Sequence, residues 1–290
     1  MTSRQDFKKY RRIISAFGLS IALISSAAAS ADTIDTLRIC ADPNYAPFSS
    51  RKLDGFENEI AGLLAKKLGA KLDFYWFPQR MGFIRNTLRA KQEDSDSYKC
   101  DLVMGVPDKY ELAITTDPYY RSTYALVYRE DSALGGISSA QDVLYLEPGK
   151  RDSLRIGMTE RSPGARWLAN GGMYEQIVPY IAQSGDPAEF PGEPMLNDLR
   201  AHKLDAAVVW GPTAGLFISS ANGDTKLKML PLTSQPGVKV DFAISAAVRF
   251  GEKEWKNQIN QLLVENASEI QSILKAHHVP LVDEQGVHIN

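Results

Sequence analysis

The residues able to do chemistry in this chain are few and scattered. Its only thiols are Cys40 and Cys100. Four histidines, His202, His277, His278 and His288, have no metal-ligand spacing. His277 and His278 fall near the end of a helical run, where cationic side chains complement the carbonyl end of the helix. Glu160 and Asp205 are carboxylates of the kind an acid and base pair needs, but nothing in their spacing joins them, and Asp205 reads more simply as a strand-start residue. There is no phosphate loop, no nucleophile elbow and no zinc motif. What the chain does supply beside its strand ends is rings: Tyr45, Phe48, Tyr110, Tyr119, Tyr120, Tyr124 and Trp210. Tyrosine and tryptophan are enriched where proteins hold other molecules, so the chemistry expected is binding, with no catalytic residue, metal or cofactor.

The ends and totals set the setting for that chemistry. Lys8, Lys9, Arg11 and Arg12 precede an apolar run from Ile13 to Ala29, and the small residues Ala29, Ser30 and Ala31 follow. That order predicts a secretory signal spanning residues 1–31 and cleaved after Ala31; the alternative, a retained anchor, is diluted by Ser15, Ser20, Ser25 and Ser26. Export to the periplasm places the two cysteines where thiols oxidise, and a single pair is the simplest disulfide. Two buried thiols or a nucleophilic cysteine are the alternatives, and neither cysteine has a histidine near it in sequence. Loss of the leader moves the formal charge from −2 to about −6, which gives nucleic acid and anionic membrane surfaces no electrostatic purchase.

The elements that must position the rings alternate in type. Short β-rich runs at residues 37–41, 71–77 and 101–104 are separated by an amphipathic helix through Phe56, Ile60, Leu63, Leu64 and Leu68, ended by Gly69, and by a helix over 81–90. The polar residues 91–99 read as a solvated loop. A β-rich run at 122–128 makes a first crossing. Further units follow: strands at 154–158, 177–181 and 205–210, and helices from Pro163, over 195–201 and from Pro212. Residues 185–194 are loop by composition. A β-rich run at 238–248 crosses back, and one long helix over 252–276 closes the chain. Alternating β and α units make parallel-rich sheets, and two crossings between two lobes make a hinge. The predicted fold class is α/β, two lobes with parallel-rich sheets joined by two crossing segments, with residues 32–123 plus 241–290 as lobe 1 and 124–240 as lobe 2. Ligands of such sheets sit beyond the carboxyl ends of the strands.

Leu37 to Phe48 (LRICADPNYAPF), Gly55-Phe56, Gly105 and Asp117-Pro118-Tyr119-Tyr120 resemble landmarks of the bacterial extracellular solute-binding proteins of family 3, the amino-acid-binding type, across nearly the whole mature chain. That resemblance implies the type II periplasmic-binding-protein fold, and a narrower group fits better. Cys40-Ala41-Asp42-Pro43-Asn44, Phe77-Pro78-Gln79-Arg80, Gly82-Phe83, Arg85-Asn86-Thr87-Leu88, Cys100 through Pro107, Tyr119 through Tyr124 and Val208-Val209-Trp210-Gly211-Pro212 are similar to the quinoprotein dehydrogenase-associated substrate-binding proteins, the group of MxaJ and XoxJ. The resemblance implies a non-enzymatic, chaperone-like periplasmic partner of a methanol or alcohol dehydrogenase dependent on pyrroloquinoline quinone (PQQ). Its implied role, in methylotrophy, is to assist the maturation or activation of that enzyme. Residues 91–99 make a longer polar insert than the group usually carries.

Amino-acid binders of the wider family grip the ligand carboxylate with an arginine after the third strand, a bidentate contact lysine does not copy. They grip the amine with an aspartate at a second-lobe strand end. The corresponding places here read Asp108-Lys109-Tyr110-Glu111 and Trp210. The cleft residues expected are therefore Asp42, Asn44, Tyr45, Arg80, Tyr110, Tyr119, Tyr120 and Trp210, with Phe48 and Tyr124 assigned to packing, Arg85 to the rim and Asp42 and Asn44 also suited to turn-forming bonds. A monomer is expected. The competing functions are a receptor of an ABC importer for a small uncharged or aromatic solute, and an enzyme on this fold such as a dehydratase.

Overall fold

Rings and charges in this chain are placed by one continuous sheet. The computed structural model describes residues 34–182, 189–190, 192–220 and 226–289, so the expected signal lies outside the described residues. Strand β1 (Thr36–Ala41) leads through a small hairpin, β2 (Asn44–Tyr45) and β3 (Ser49–Ser50), into α1 (Phe56–Leu68). Then come β4 (Lys71–Trp76), α2 (Phe83–Asn86), β5 (Leu102–Pro107) and β6 (Ile114–Thr115). The long β7 (Tyr120–Arg129) carries the chain to α3 (Pro148–Arg151), β8 (Ile156–Thr159), α4 (Pro163–Asn170), β9 (Ile177–Tyr180) and α5 (Glu193–Arg200). The remaining elements are β10 (Ala206–Trp210), α6 (Gly211–Ser219), β11 (Leu227–Pro231), β12 (Asp241–Val248), α7 (Lys253–Glu265) and α8 (Ala267–Ala276).

The strand order is β4-β1-β5-β12-β7-β10-β8-β9, with β6 beside β12 and β11 beside β7. β1 runs parallel to β4 and β5, and β8 runs parallel to β10 and β9. β7 and β12 are antiparallel to each other and join these two parallel groups. β7 pairs with β12 over Tyr120 to Thr123 and with β10 over Tyr124 to Tyr128. This is the expected α/β architecture, with the two crossings hydrogen-bonded side by side.

Each face of the sheet is covered for a reason visible in the chain. α1 places Phe56, Ile60, Ala61, Leu64 and Ala65 on one stripe, and with Ile259, Leu263, Ile270 and Leu274 of α7 and α8 they bury Leu37, Ile39 and Leu102. Gly69 at φ 68° ends α1 in the left-handed conformation glycine takes at least cost. The opposite face of this half carries Cys40, Cys100, Phe83, Ile84, Leu88 and Val103. The other half is packed by Trp167 and Leu168 of α4 on one side and by Leu196, Leu199 and Phe217 of α5 and α6 on the other.

Four local expectations are corrected. The helix predicted over 81–90 is a single turn, because Thr87 leaves helical geometry (φ −122°, ψ −88°) and its hydroxyl donates to the Phe83 carbonyl at 2.7 Å. The closing helix is two: at Asn266 (φ −112°) the side-chain Nδ2 takes the Leu262 carbonyl at 2.7 Å, ending α7 where α8 begins. Glu193 and Pro194 belong to the first turn of α5, where proline needs no amide donor; residues 185–188 and 191 of the expected loop before it lie outside the described residues. Residues 91–99 are more than solvated loop, since Lys91 and Tyr98 bridge and Tyr98 lies under the Arg249 guanidinium, 4.2 Å from ring centroid to Cζ.

The expected disulfide is present. Cys40 on β1 and Cys100 just before β5 are bonded with Cα atoms 5.4 Å apart, a separation that disulfides span without backbone movement. Because the bridge closes a loop of 60 residues, replacing both cysteines by serine is expected to lower the unfolding free energy by about 4 kcal/mol. Urea midpoints of the oxidised protein and the double variant measure it, and an unchanged midpoint would assign the bridge no role in stability.

Candidate functional site

At the carboxyl ends of β1 and β5 and around the start of β7, the backbone gathers a group of rings about one carboxylate. Tyr45 stacks on Phe48 with centroids 4.7 Å apart, and Phe48 leans on Phe56 at 5.3 Å. Tyr120 meets Phe56 edge-on at 6.1 Å and Tyr119 at 5.0 Å. From the other half, Trp210 at the end of β10 lies 5.4 Å from Tyr124 and 5.9 Å from Phe242, and packs against the same core as Tyr45 and Tyr119. Tyr45, Tyr119, Tyr120 and Trp210 of the expected cleft set are thus placed around one region.

The others have different company. Asp42 accepts the amide of Asn44 at 2.8 Å and that of Gln79 at 2.5 Å, so its carboxylate ties the turn after β1 to the loop after β4. Asn44 pairs with Ser50 in the β2–β3 hairpin. Tyr110 packs beside Phe77 against the cluster that contains the disulfide. Arg80 and Arg85 are exposed, on the loop after β4 and on α2. Of the two places that carry a charged grip in the amino-acid binders, the first has Lys109, exposed with φ 58°, and the second has the uncharged Trp210. Phe48 is buried in the core and Tyr124 half-buried, in keeping with packing. Asp205 accepts the amide of Arg155 at 2.9 Å at the edge of β10, while Glu160 is exposed. Among the described residues no group of histidines, cysteines and carboxylates is arranged to hold a metal ion, and no helix is long and apolar enough to cross a membrane.

The residue that sequence reasoning missed is Glu57. It stands in the first turn of α1, one position past the Gly55-Phe56 landmark, and its carboxylate lies against Gly105. Burial raises its pKa from 4.5 to about 8. At neutral pH the group is therefore largely a neutral acid, able to donate a hydrogen bond as well as accept one. The surrounding hydroxyls respond to the same environment. Those of Tyr45, Tyr119 and Tyr120 are held above their ordinary value by burial first, with the Glu57 charge adding to it, and burial lifts that of Tyr124 to about 12. The Gly105 amide donates to the Tyr119 hydroxyl at 3.2 Å. The resulting surface is aromatic and hydroxyl-bearing, with uncharged side chains at neutral pH.

Parallel groups of strands on either side of two antiparallel crossings, with a ring-walled site at the strand ends, define a periplasmic-binding-protein fold. The chain matches the bacterial extracellular solute-binding proteins, family 3, over residues 37–277, and it belongs to that family. Within the family it is similar to a particular group. It is 28% identical over 284 residues to Protein MoxJ of Paracoccus denitrificans, covering 94% of this chain and 98% of the relative. The crystal structure of periplasmic binding protein XoxJ from Methylobacterium extorquens AM1 matches with a TM-score of 0.67 and 32% identity, over 86% of this chain and 100% of that one. That of MxaJ from Methylophaga aminisulfidivorans MPT matches with a TM-score of 0.68 and 26% identity, over 85% of this chain and 100% of that one.

The carboxylate and the glycine beneath it give two expectations. The unfolded chain ionises Glu57 near pH 4.5 and the folded chain near 8, so the native state holds the extra proton between these values and stability falls as pH rises through that window. Glu57→Gln removes this fall, and urea midpoints at acidic, neutral and alkaline pH should show the variant gaining on the parent by several kcal/mol toward the alkaline end; parallel curves would contradict the assignment. Gly105 has φ 68° and a Cβ there would collide with Glu57 Oε1, so Gly105→Ala should cost about 1 to 3 kcal/mol by the same measurement.

Proposed function

We propose that this chain is a non-enzymatic, monomeric periplasmic binding protein that associates with a PQQ-dependent methanol or alcohol dehydrogenase and assists its maturation or activation. The observation that carries the reading is the ring-walled region around Glu57, with Trp210 and exposed Lys109 at the places where amino-acid binders keep their charged grips. A zwitterion taken there would lose the hydration of two charges and find no opposite charge in return. An apolar or aromatic segment of a protein partner instead buries surface against Tyr45, Tyr119 and Trp210, and its backbone finds hydroxyls and a neutral acid for its polar groups. Likeness to MoxJ, XoxJ and MxaJ over most of the chain supports the dehydrogenase as that partner.

In this reading residues 1–31 are the export signal, and residues 32–123 with 241–290 and residues 124–240 are lobes that move about β7 and β12. Asp42, Asn44, Arg80 and Tyr110 belong to the walls and rim of the cleft. A receptor for a small uncharged or aromatic solute uses the same ring surface, and a single set of measurements separates the two. Immobilised protein should retain the dehydrogenase from a periplasmic extract of the same bacterium. Trp210→Ala should weaken retention by about tenfold, the size of one truncated aromatic contact, while thermal-shift screens of amino acids and aromatic solutes stay silent. Undiminished retention by the variant counts against the ring surface as the docking site, and a solute that raises the melting temperature supports the receptor instead.

A further inference from the structure

We propose that the protein carries a second binding site, for a small organic polyanion with two or three carboxylates on a flat apolar body, in a basic cavity beside the crossing strands. The cavity measures about 760 Å³ and lies among the first turn of α4, the residues leading into β12 and the chain after α8. That volume is within the range of roughly 300–1,000 Å³ in which small-molecule sites fall.

Its lining is out of character with the rest of the chain. The whole sequence has a net charge of −2, yet Arg121, Arg161, Arg166 and Lys239 meet here against only Asp241 and Glu284. Asp241 is already committed: it is buried, accepts from Arg121 Nη1 at 3.2 Å and is bonded by the Ser234 hydroxyl. Among the described residues no carboxylate pairs with Arg161, Arg166 or Lys239 within 4.0 Å, so the cavity, lined by two carboxylates and four cations, carries an excess of positive charge. An anion brought there relieves their mutual repulsion and gains charge-assisted hydrogen bonds. Arg161 holds a left-handed backbone (φ 58°), as do five other non-glycine residues among those described.

Carboxylate and ring are both specified by the walls. Guanidinium groups present parallel N–H donors matched to planar carboxylates, and three of the four cations are arginines. Between them Pro163, Val238 and the Phe242 ring make an apolar surface, with Lys239 Nζ 5.8 Å from the ring centroid. An occupant with charge at its edges and a flat body satisfies both. This site shares Phe242 with the ring region but none of its cations belongs to the ring group around Glu57, and it stands whether or not the dehydrogenase is the partner of that group.

The test uses the exported protein and two probes, benzene-1,3,5-tricarboxylate and citrate, in isothermal titration calorimetry, with orthophosphate at matched ionic strength as the third arm. The expected result is saturable binding of the aromatic tricarboxylate at one site, weaker binding of citrate, and loss of affinity between about 50 and about 300 mM NaCl. Arg161→Asn with Arg166→Gln, which tolerates the left-handed backbone and leaves exposed positions polar, should weaken binding by about tenfold or more. The pair Lys150→Glu and Lys253→Glu, at exposed sites away from the cavity, should leave it unchanged. No saturable heat with either tricarboxylate, undiminished binding by the arginine variant, or orthophosphate binding as tightly as the aromatic probe would each overturn the proposal.

Discussion

The pairing of β7 with β12 is the constraint on which everything else rests. Tyr120 opposite Ile244, Arg121 opposite Ala243, Ser122 opposite Phe242 and Thr123 opposite Asp241 form one short antiparallel ladder. β7 then continues into the second half as the partner of β10 and β11. Side chains lock the ladder to its surroundings: the Ser122 hydroxyl donates to the Pro280 carbonyl at 2.7 Å, and that of Thr123 to the Leu232 carbonyl at 2.7 Å. All of these groups are buried, so each bond left unmade costs the full desolvation of a polar atom. The ladder is thus held in one register, and the residues projecting from it are held with it. Tyr120 and Tyr124 on one strand, Tyr119 just before it and Phe242 on the other strand build the ring region, while Arg121 and Asp241 of the same two strands build the cavity wall.

The electrostatics of the ring region follow from what surrounds Glu57. A carboxylate in the first turn of a helix is ordinarily favoured as an anion by the helix dipole. Here burial opposes that and prevails, as the raised pKa of Glu57 and of the nearby tyrosines shows. An acid held neutral near pH 7 suits recognition of uncharged polar groups and disfavours a site for cationic or zwitterionic ligands. The fold is the amino-acid binders' fold, and under the proposed function its hydrogen-bonding groups serve a different occupant.

How far this was legible in the sequence depends on the range of the interaction. The disulfide was readable because two cysteines in an exported chain have one simple fate. Trp210 was readable because strand ends are marked by pattern and a ring there needs no partner to be noticed. Glu57 was passed over although it is adjacent to a landmark, because first-turn carboxylates are common as plain dipole partners, and only the three-dimensional closeness of Gly105 and the tyrosines sets this one apart. The short α2 and the break between α7 and α8 were missed for a local reason: Thr87 and Asn266 each bond the carbonyl four residues back with a side chain, a choice that apolar periodicity does not record. The basic cavity was illegible, since its walls come from positions 121, 161–166, 234–242 and 284–285, and only the crossing strands bring them together.

Phe242 connects the two regions. One side of its ring meets Trp210 at 5.9 Å, and the residue also lines the basic cavity. Under the proposed function the crossing strands are where the halves change orientation, and a ligand moves such an equilibrium only by the difference in its affinity for the two arrangements. A polyanion that draws Arg161, just before α4, and Arg166 of α4 toward Arg121 of β7 favours the arrangement in which those elements approach. Whatever coupling results is reciprocal, because both binding events act on one ladder: an occupant of the rings that prefers the closed arrangement tightens the cavity's hold on its anion by the same factor that the anion tightens the hold of the rings.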